Sequence, residues 1–375
     1  MEKIVGTNID TAILDNQFTL TNFSNSILKH FGLAPFHSTI ETVDKVMRGH
    51  KKIAAFLFDG ASEYNLNLYP KTSRFLLNHK LMTIHSVNPA TTVSCTTAFL
   101  SARFPIETGW LGWSLNFKDI GPIDAFSGKS SYGEKNYGAS LMKDAAPYTN
   151  IISLLNEAHV KAKAFYEFPV ENKEGPKNFR SALKKYSAFF EGGGEFLYGY
   201  FKNPDKTLHD KGVKSIPTWW QFYRISWFLR RFTKQNPDVL VFAFADHGLI
   251  NVSYKDLSDY PDIETTLRYP ISLDARIPTF FVKQGMEKAF ESAFEKHLSS
   301  DFILVKKEDI LKMNYFGDGK IADASDHFIG DYVGIAKDNI VLKQYGGKKK
   351  EKPLKAHHSG PSKEEREILL SVYNV

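Results

Sequence analysis

Between Asn88 and Pro105 the chain reads NPATTVSCTTAFLSARFP, a stretch with four threonines, two serines and the only cysteine, Cys95. Any of these hydroxyls, or the thiol, is a candidate nucleophile. A free Thr or Ser hydroxyl attacks poorly at neutral pH and needs an adjacent base or a metal ion to activate it. Four other fragments supply metal ligands. Asp59 follows an apolar run. Asp205 and His209 lie in NPDKTLHDKG, Asp246 and His247 in FADHG, and His357 and His358 in KAHHSG. Carboxylate with imidazole suits Zn²⁺ or Mn²⁺ and admits Fe. Asp205 and His209, spaced i and i+4, share one face if their segment is helical. Asp246 and His247 close an apolar run, where burying both side chains without a partner is costly.

The elements that must hold these residues are legible around them. Ile53–Phe58 and Val239–Ala245 are short, continuously apolar runs ending in Asp-Gly and Asp-His-Gly, the pattern of buried parallel strands. In open α/β sheets functional groups gather at the carboxyl ends of such strands. Helical patterns cover Asn25–Leu33, with a stop at Gly32, then Ile40–His50, Ser153–Phe165 and Trp219–Gln235. Val93–Ala102 also reads as a helix. Further strands are expected at Pro278–Lys283 and Tyr332–Lys337, and a loop at Glu191–Phe196. The alternation gives an α/β fold.

Composition sets the bounds. The 375 residues are 42% hydrophobic and 24% charged, with 30 Phe and 17 Tyr, enough to bury a large core without cross-links. One cysteine forms no internal disulfide, and the N-terminal residues show no signal-peptide run. No stretch of about 18 apolar residues suggests a membrane span. The expectation is a cytoplasmic protein with no membrane partner. The net charge of +6 suits a small anionic substrate. The basic run KKKEK, Lys348–Lys352, has no aromatic partners of a nucleic-acid site and reads as a solvated loop, so nucleic acid is not expected as a stable partner.

In order, FLFDG, PATTV, PDKTLHDKG, FADHG and HHSGPSKEE resemble the motifs of the type I phosphodiesterase/nucleotide pyrophosphatase family of the alkaline phosphatase superfamily. The resemblance runs from about Lys51 to the C-terminus. It implies an alkaline-phosphatase-like three-layer sandwich, a central mostly parallel sheet with helices on both faces. It implies two divalent ions, Zn with Mn as the alternative. Asp59, Asp246 and His247 would hold one ion, with Thr92 touching it, and Asp205, His209 and His358 the other. Thr92 follows Pro89 by three positions, where the family places its nucleophile, and would form a covalent phosphothreonine. Thr91 is the nearest rival and should face the other way in an extended segment. His358 is preferred to His357, a surface neighbour, because it precedes Ser359-Gly360 and then Ser362–Glu365, which reads as a capping box. Cys95 becomes a packing residue, since Cys95-Thr-Thr-Ala-Phe lacks the Pro and Arg of a sulfatase motif.

The implied activity is a metal-dependent phosphoric-ester hydrolase acting on a small phosphoester, on the phosphodiester or nucleotide-diphosphate side. A phosphomonoesterase or phosphomutase is the alternative within the superfamily, and a non-catalytic metal- or ligand-binding protein the alternative outside it. The family often has an Asn near Trp113, so the phosphate site differs here, and Trp110 and Trp113 are candidates to wall the substrate pocket. His85 and His327 are read as structural or substrate-facing. The expected organisation is a helical lead, residues 1–48, packed on one catalytic domain, 49–375, with lid-like insertions at about 110–150 and 170–200.

Overall fold

Six strands build the sheet that positions the candidate site residues: β1 (Ile53–Phe58), β2 (Lys80–His85), β3 (Ala162–Tyr166), β4 (Phe196–Phe201), β5 (Leu240–Phe244) and β6 (Glu367–Tyr373). The computed structural model describes residues 15–166, 175–344 and 352–375. Residues 1–14, 170–174 of the second expected insertion, and the lysine run up to residue 351 lie outside the described residues. Spatial order is β2-β6-β5-β1-β4-β3. β1 is parallel to both neighbours, with Ile53 opposite Phe196 of β4 and Leu240 of β5. β3 is parallel to β4, and β6 runs antiparallel between β5 and β2.

This topology collects the motifs at one edge. β1, β4 and β5 end side by side, so the residues just past them, Asp59, Asp205 and Asp246, leave from the same side of the sheet. β2 points the same way, because both it and β5 oppose β6, and the loop after it leads to Thr92. β6 starts at that edge, so the His357–His358 segment enters from there.

Every residue of β1, β4 and β5 is buried, as strands covered on both faces must be. On one face lie α1 (Leu20–His30), followed in the chain by α2 (Glu41–Met47), and α3 (Thr92–Ser101). There Phe23 packs edge-on against Phe242 and Phe244, at 5.2 and 5.1 Å between ring centres. The other face carries α4 (Phe179–Glu191), while α5 (Asp205–Lys211) lies beside α6 (Ile216–Gln235) and buries Leu208 in a separate cluster with Val213, Leu249 and Ala356. There Phe56 stacks on Tyr186 at 5.5 Å and meets Phe232 edge-on at 4.9 Å. The expected α/β sandwich is therefore present. α1 is buried from Leu20 to Leu28, and Asn25 Nδ2 donates to the Ala102 carbonyl at 2.9 Å, tying the N-terminal lead to the end of α3.

A second, antiparallel sheet joins Phe302–Lys306, Tyr332–Ala336, Ile277–Phe280, Ser272–Asp274, Ser114–Phe117 and Gly121–Asp124 in that order. It takes in the strands expected near 278 and 332, together with part of the 110–150 region, which is woven into this sheet. Residues 179–201 likewise supply α4 and the central strand β4, so this part of the expected 170–200 lid is core. The glycines at 192–194 end a helix and turn the chain straight into that strand. Ser153–Phe165 is not one helix. The helix covers Ile151–Glu157, His159 turns with φ 63°, and β3 follows, its apolar residues having mimicked a continuing helical stripe.

The capping box at Ser362 does not form, since the Ser362 side chain makes no cap bond. Glu365 turns instead to Arg276, with Nε–Oε1 at 2.8 Å and Nη2–Oε2 at 3.0 Å, both side chains being fully buried. A bidentate charge-assisted pair outweighs a neutral cap. Glu365 Oε1 also accepts the Gly360 N–H at 2.8 Å, and the Glu365 carbonyl accepts that of Gly248 at 2.8 Å. One residue thus ties the His358 loop to the Asp246–Gly248 loop. Removing one partner strands a buried charge, so Arg276→Met should cost about 3–5 kcal/mol in urea unfolding. Arg276→Met combined with Glu365→Leu should recover much of that loss.

Candidate metal and nucleophile site

Asp59, Asp246 and His247 meet at the strand ends. His247 Nε2 lies 3.5 Å from Asp59 Oδ1 and 3.5 Å from Asp246 Oδ2. Ligands about 2.1 Å from a tetrahedral ion stand about 3.4 Å apart, so this spacing is that of a coordination shell. Backbone contacts set the directions. Asp246 Oδ1 accepts the N–H groups of Gly60 at 3.1 Å and His247 at 3.0 Å, leaving Oδ2 toward the cluster. His247 Nδ1 faces the Gly248 carbonyl at 3.3 Å, which as an N–H donor leaves the Nε2 lone pair inward.

Asp205 and His209 stand on one face of α5, with Nε2 3.2 Å from Asp205 Oδ1. His209 Nδ1 faces the Ala356 carbonyl at 2.7 Å, fixing the same outward lone pair. His358 links the halves. Its ring stacks on His247 at 3.9 Å and lies 5.1 Å from the ring of His209. Asp205, His247 and His358 present ligand atoms within 4.8 Å of one another, and His209 reaches that group through Asp205. Two glycines permit the approach. Gly60 has φ +77°, and a Cβ there would stand 2.9 Å from Asp205 Cα. A Cβ on Gly248 would meet Ser62 Oγ at 2.1 Å.

Thr92 is the first residue of α3. Its Oγ1 lies 3.1 Å from His247 Nε2 and 3.4 Å from Asp59 Oδ2. Thr91 is fully buried and has no hydrogen bond to that cluster, so the extended segment does place the two hydroxyls differently. Cys95 is fully buried, and burial pushes its thiol well above the usual range, which removes it as a nucleophile. The predicted metal ligands and Thr92 therefore converge. His357 does not fit its expected place: it is buried, 6% exposed, beside His209. Trp113 is 38% exposed. Trp110 is turned inward, and its indole N–H donates to the Ala146 carbonyl at 2.8 Å.

The electrostatics fit cations. Burial, then the charges of Asp246 and Asp205, push Asp59 well above the usual carboxylate range, and burial raises Asp246. Burial penalises Asp205 too, but His209 holds it below its ordinary value, and Asp205 in turn raises His209 against the effect of burial. Burial and the neighbouring imidazoles keep His358 neutral far below the usual range, as a ligand must be. Asp59 Oδ1, Asp205 Oδ1 and Asp246 Oδ2 are buried without a hydrogen-bond partner. Buried polar atoms are rarely left so, and two divalent ions would satisfy this donor set.

Tyr200, in β4, has its hydroxyl bonded to Asp59 Oδ2. Sequence reasoning missed it, although alternation along β4 from a known strand end would have put Tyr198 and Tyr200 on the α3 face. A cavity of about 410 Å³ lined by Lys211, Lys214, Tyr254 and Lys355 opens beyond the end of α5, and Thr92 is not part of its lining. No helix among the described residues is long and apolar enough to cross a membrane.

The arrangement of strands and helices is the alkaline-phosphatase-like fold. Murine ectonucleotide pyrophosphatase/phosphodiesterase 5 superposes with a TM-score of 0.65 at 17% identity, over 85% of this chain and 87% of that one. Its inactive variant in complex with AMP gives 0.64 at 16% identity, over 86% and 88%. The human counterpart gives 0.64 at 16%, over 86% and 87%. No protein-family model and no curated protein matches the sequence.

Because the folded pKa values of Asp59, Asp246 and His209 are raised, these groups stabilise the metal-free protein while protonated and that contribution is lost as pH rises through those values, whereas His357 and His358, held neutral by burial, contribute in the opposite sense. Cations bind the deprotonated forms, so their stabilisation grows over the same range. The difference in Tm between metal-loaded and chelated protein should therefore be larger near about pH 8 than near about pH 5. A difference that shrinks on raising the pH would contradict the site.

Proposed function

We propose that the chain is a metal-dependent phosphoric-ester hydrolase acting on phosphodiester or nucleotide-diphosphate bonds. The observation that carries this is the position of Thr92 Oγ1, at the start of a helix and within 3.4 Å of both Asp59 and His247. Asp59, Asp246 and His247 would hold one divalent ion and Asp205, His209 and His358 the second, with Zn the best match to these donors and Mn the alternative. Such ions lower the pKa of a coordinated hydroxyl and neutralise charge on the phosphoryl oxygens and the leaving oxygen.

The chain's own residues supply the remainder. Thr92 Oγ1, its proton passed to solvent water, attacks phosphorus in line. The bond to the leaving oxygen breaks, and the phosphoryl group rests on Thr92 as a phosphothreonine ester. Water then cleaves that ester, returning the Thr92 hydroxyl and releasing phosphate or a phosphate monoester. The N-terminal N–H groups of α3 favour the negative phosphoryl group beside them. Tyr200 orients Asp59 through its hydroxyl. The AMP complex of the murine structure supports a nucleotide-like phosphoester as substrate, and exposed Trp113 offers a flat ring for it.

Thr92→Ala should lower turnover of bis-p-nitrophenyl phosphate by at least about a hundredfold while metal content stays near wild type. Cys95→Ala should keep most activity. Wild-type turnover by the Thr92 variant would refute the assignment. Comparing p-nitrophenyl phosphate with the diester tests the preference directly, and faster cleavage of the monoester would replace the diesterase reading.

A further inference from the structure

A third cluster of ligand-type side chains adjoins the His209 half of the site. Asp274 ends a strand of the second sheet, and His357 and His358 lie just before β6. Their ligand atoms all lie within 4.8 Å of one another, and the three residues are only 8%, 6% and 6% exposed. Asp274 Oδ1 accepts the Ala275 N–H at 2.9 Å, while Oδ2 is buried with no hydrogen-bond partner. His357 Nδ1 faces the His358 carbonyl at 3.1 Å, which as an N–H donor leaves the Nε2 lone pair to serve as a ligand. His358 Nδ1 is likewise buried and unpartnered.

A buried, unpaired carboxylate oxygen facing two imidazoles is costly unless something positive is bound between them. The nearby guanidinium does not fill this role, because Arg276 is committed to Glu365 and to the carbonyls of Asp338 and Ile340. One carboxylate and two imidazoles are the donor set of a zinc-type ion.

We propose that Asp274, His357 and His358 form a third site for a divalent transition metal, adjoining the second site and sharing His358 with it as a bridging imidazolate that releases its remaining ring proton on binding. The sharing of His358 rests on the two-metal reading given above, whereas Asp274 and His357 belong to neither of those sites. An ion there would tie the second sheet to the catalytic edge of the first and fix the orientation of His358.

The test is zinc stoichiometry of the intact chain after chelation and reloading, by elemental analysis and by native mass spectrometry. Wild type should carry three equivalents. Asp274→Asn and His357→Ala should each carry one fewer, with thermal melting confirming that the variants are folded. Should a variant not fold, native mass spectrometry of wild type at graded zinc still shows whether a third ion adds. Two equivalents in wild type, unchanged in Asp274→Asn, would overturn the third site and leave the two-metal reading standing. One equivalent, lost in Asp274→Asn but kept in Asp59→Asn, would do the reverse.

Discussion

Three buried carboxylates at one sheet edge are the constraint on which the rest of the structure depends. Asp59, Asp205 and Asp246 leave neighbouring parallel strands at the same level, and Asp59 and Asp246 are pushed toward their protonated forms, first by burial and then by neighbouring carboxylates, Asp246 and Asp205 for Asp59 and Asp205 for Asp246. Such a focus of negative charge is unfavourable in a dry interior without cations. The surrounding elements read as answers to it. Imidazoles rather than ammonium groups line it, presenting lone pairs fixed by the Gly248 and Ala356 carbonyls. Tyr200 donates to Asp59, and Gly60 and Gly248 let backbone close in where a side chain would intrude.

The same constraint explains the clamp between Arg276 and Glu365. A cluster assembled from five separated segments needs its last segment held in register, and β6 is the antiparallel strand that starts at the edge where the cluster lies. Glu365 fixes that return by binding Arg276 from the second sheet together with the N–H groups of Gly360 and Gly248. Ser359, next to His358, sits at φ 85°, a conformation that favours glycine. The strain is local, and the clamp beside it over-determines the conformation.

Much of the site was legible because its ligands lie directly at the ends of apolar runs. Ile53–Phe58 and the run before Asp246 are buried on both faces, so they read as strands, and their terminal Asp residues fall where a parallel sheet places functional groups. The i, i+4 spacing of Asp205 and His209 carried over directly to α5. What was not legible depends on pairing between distant segments. The second sheet joins strands near 114, 277 and 332 that give no local sign of a shared sheet. Asp274, His357 and Tyr200 acquire partners only through that assembly. The capping-box pattern at Ser362 was a correct local signal overridden by a stronger tertiary ion pair.

The central claim is that Thr92 becomes covalently phosphorylated during turnover. Rapid acid quenching of the enzyme with a labelled phosphodiester, followed by trypsin and peptide sequencing, tests it most directly. The account predicts label in the peptide from Leu81 to Arg103, localised to Thr92 and absent from Thr92→Ala. Label on Thr91 or on another residue of that peptide, or rapid turnover with no labelled protein at any quench time, would contradict it.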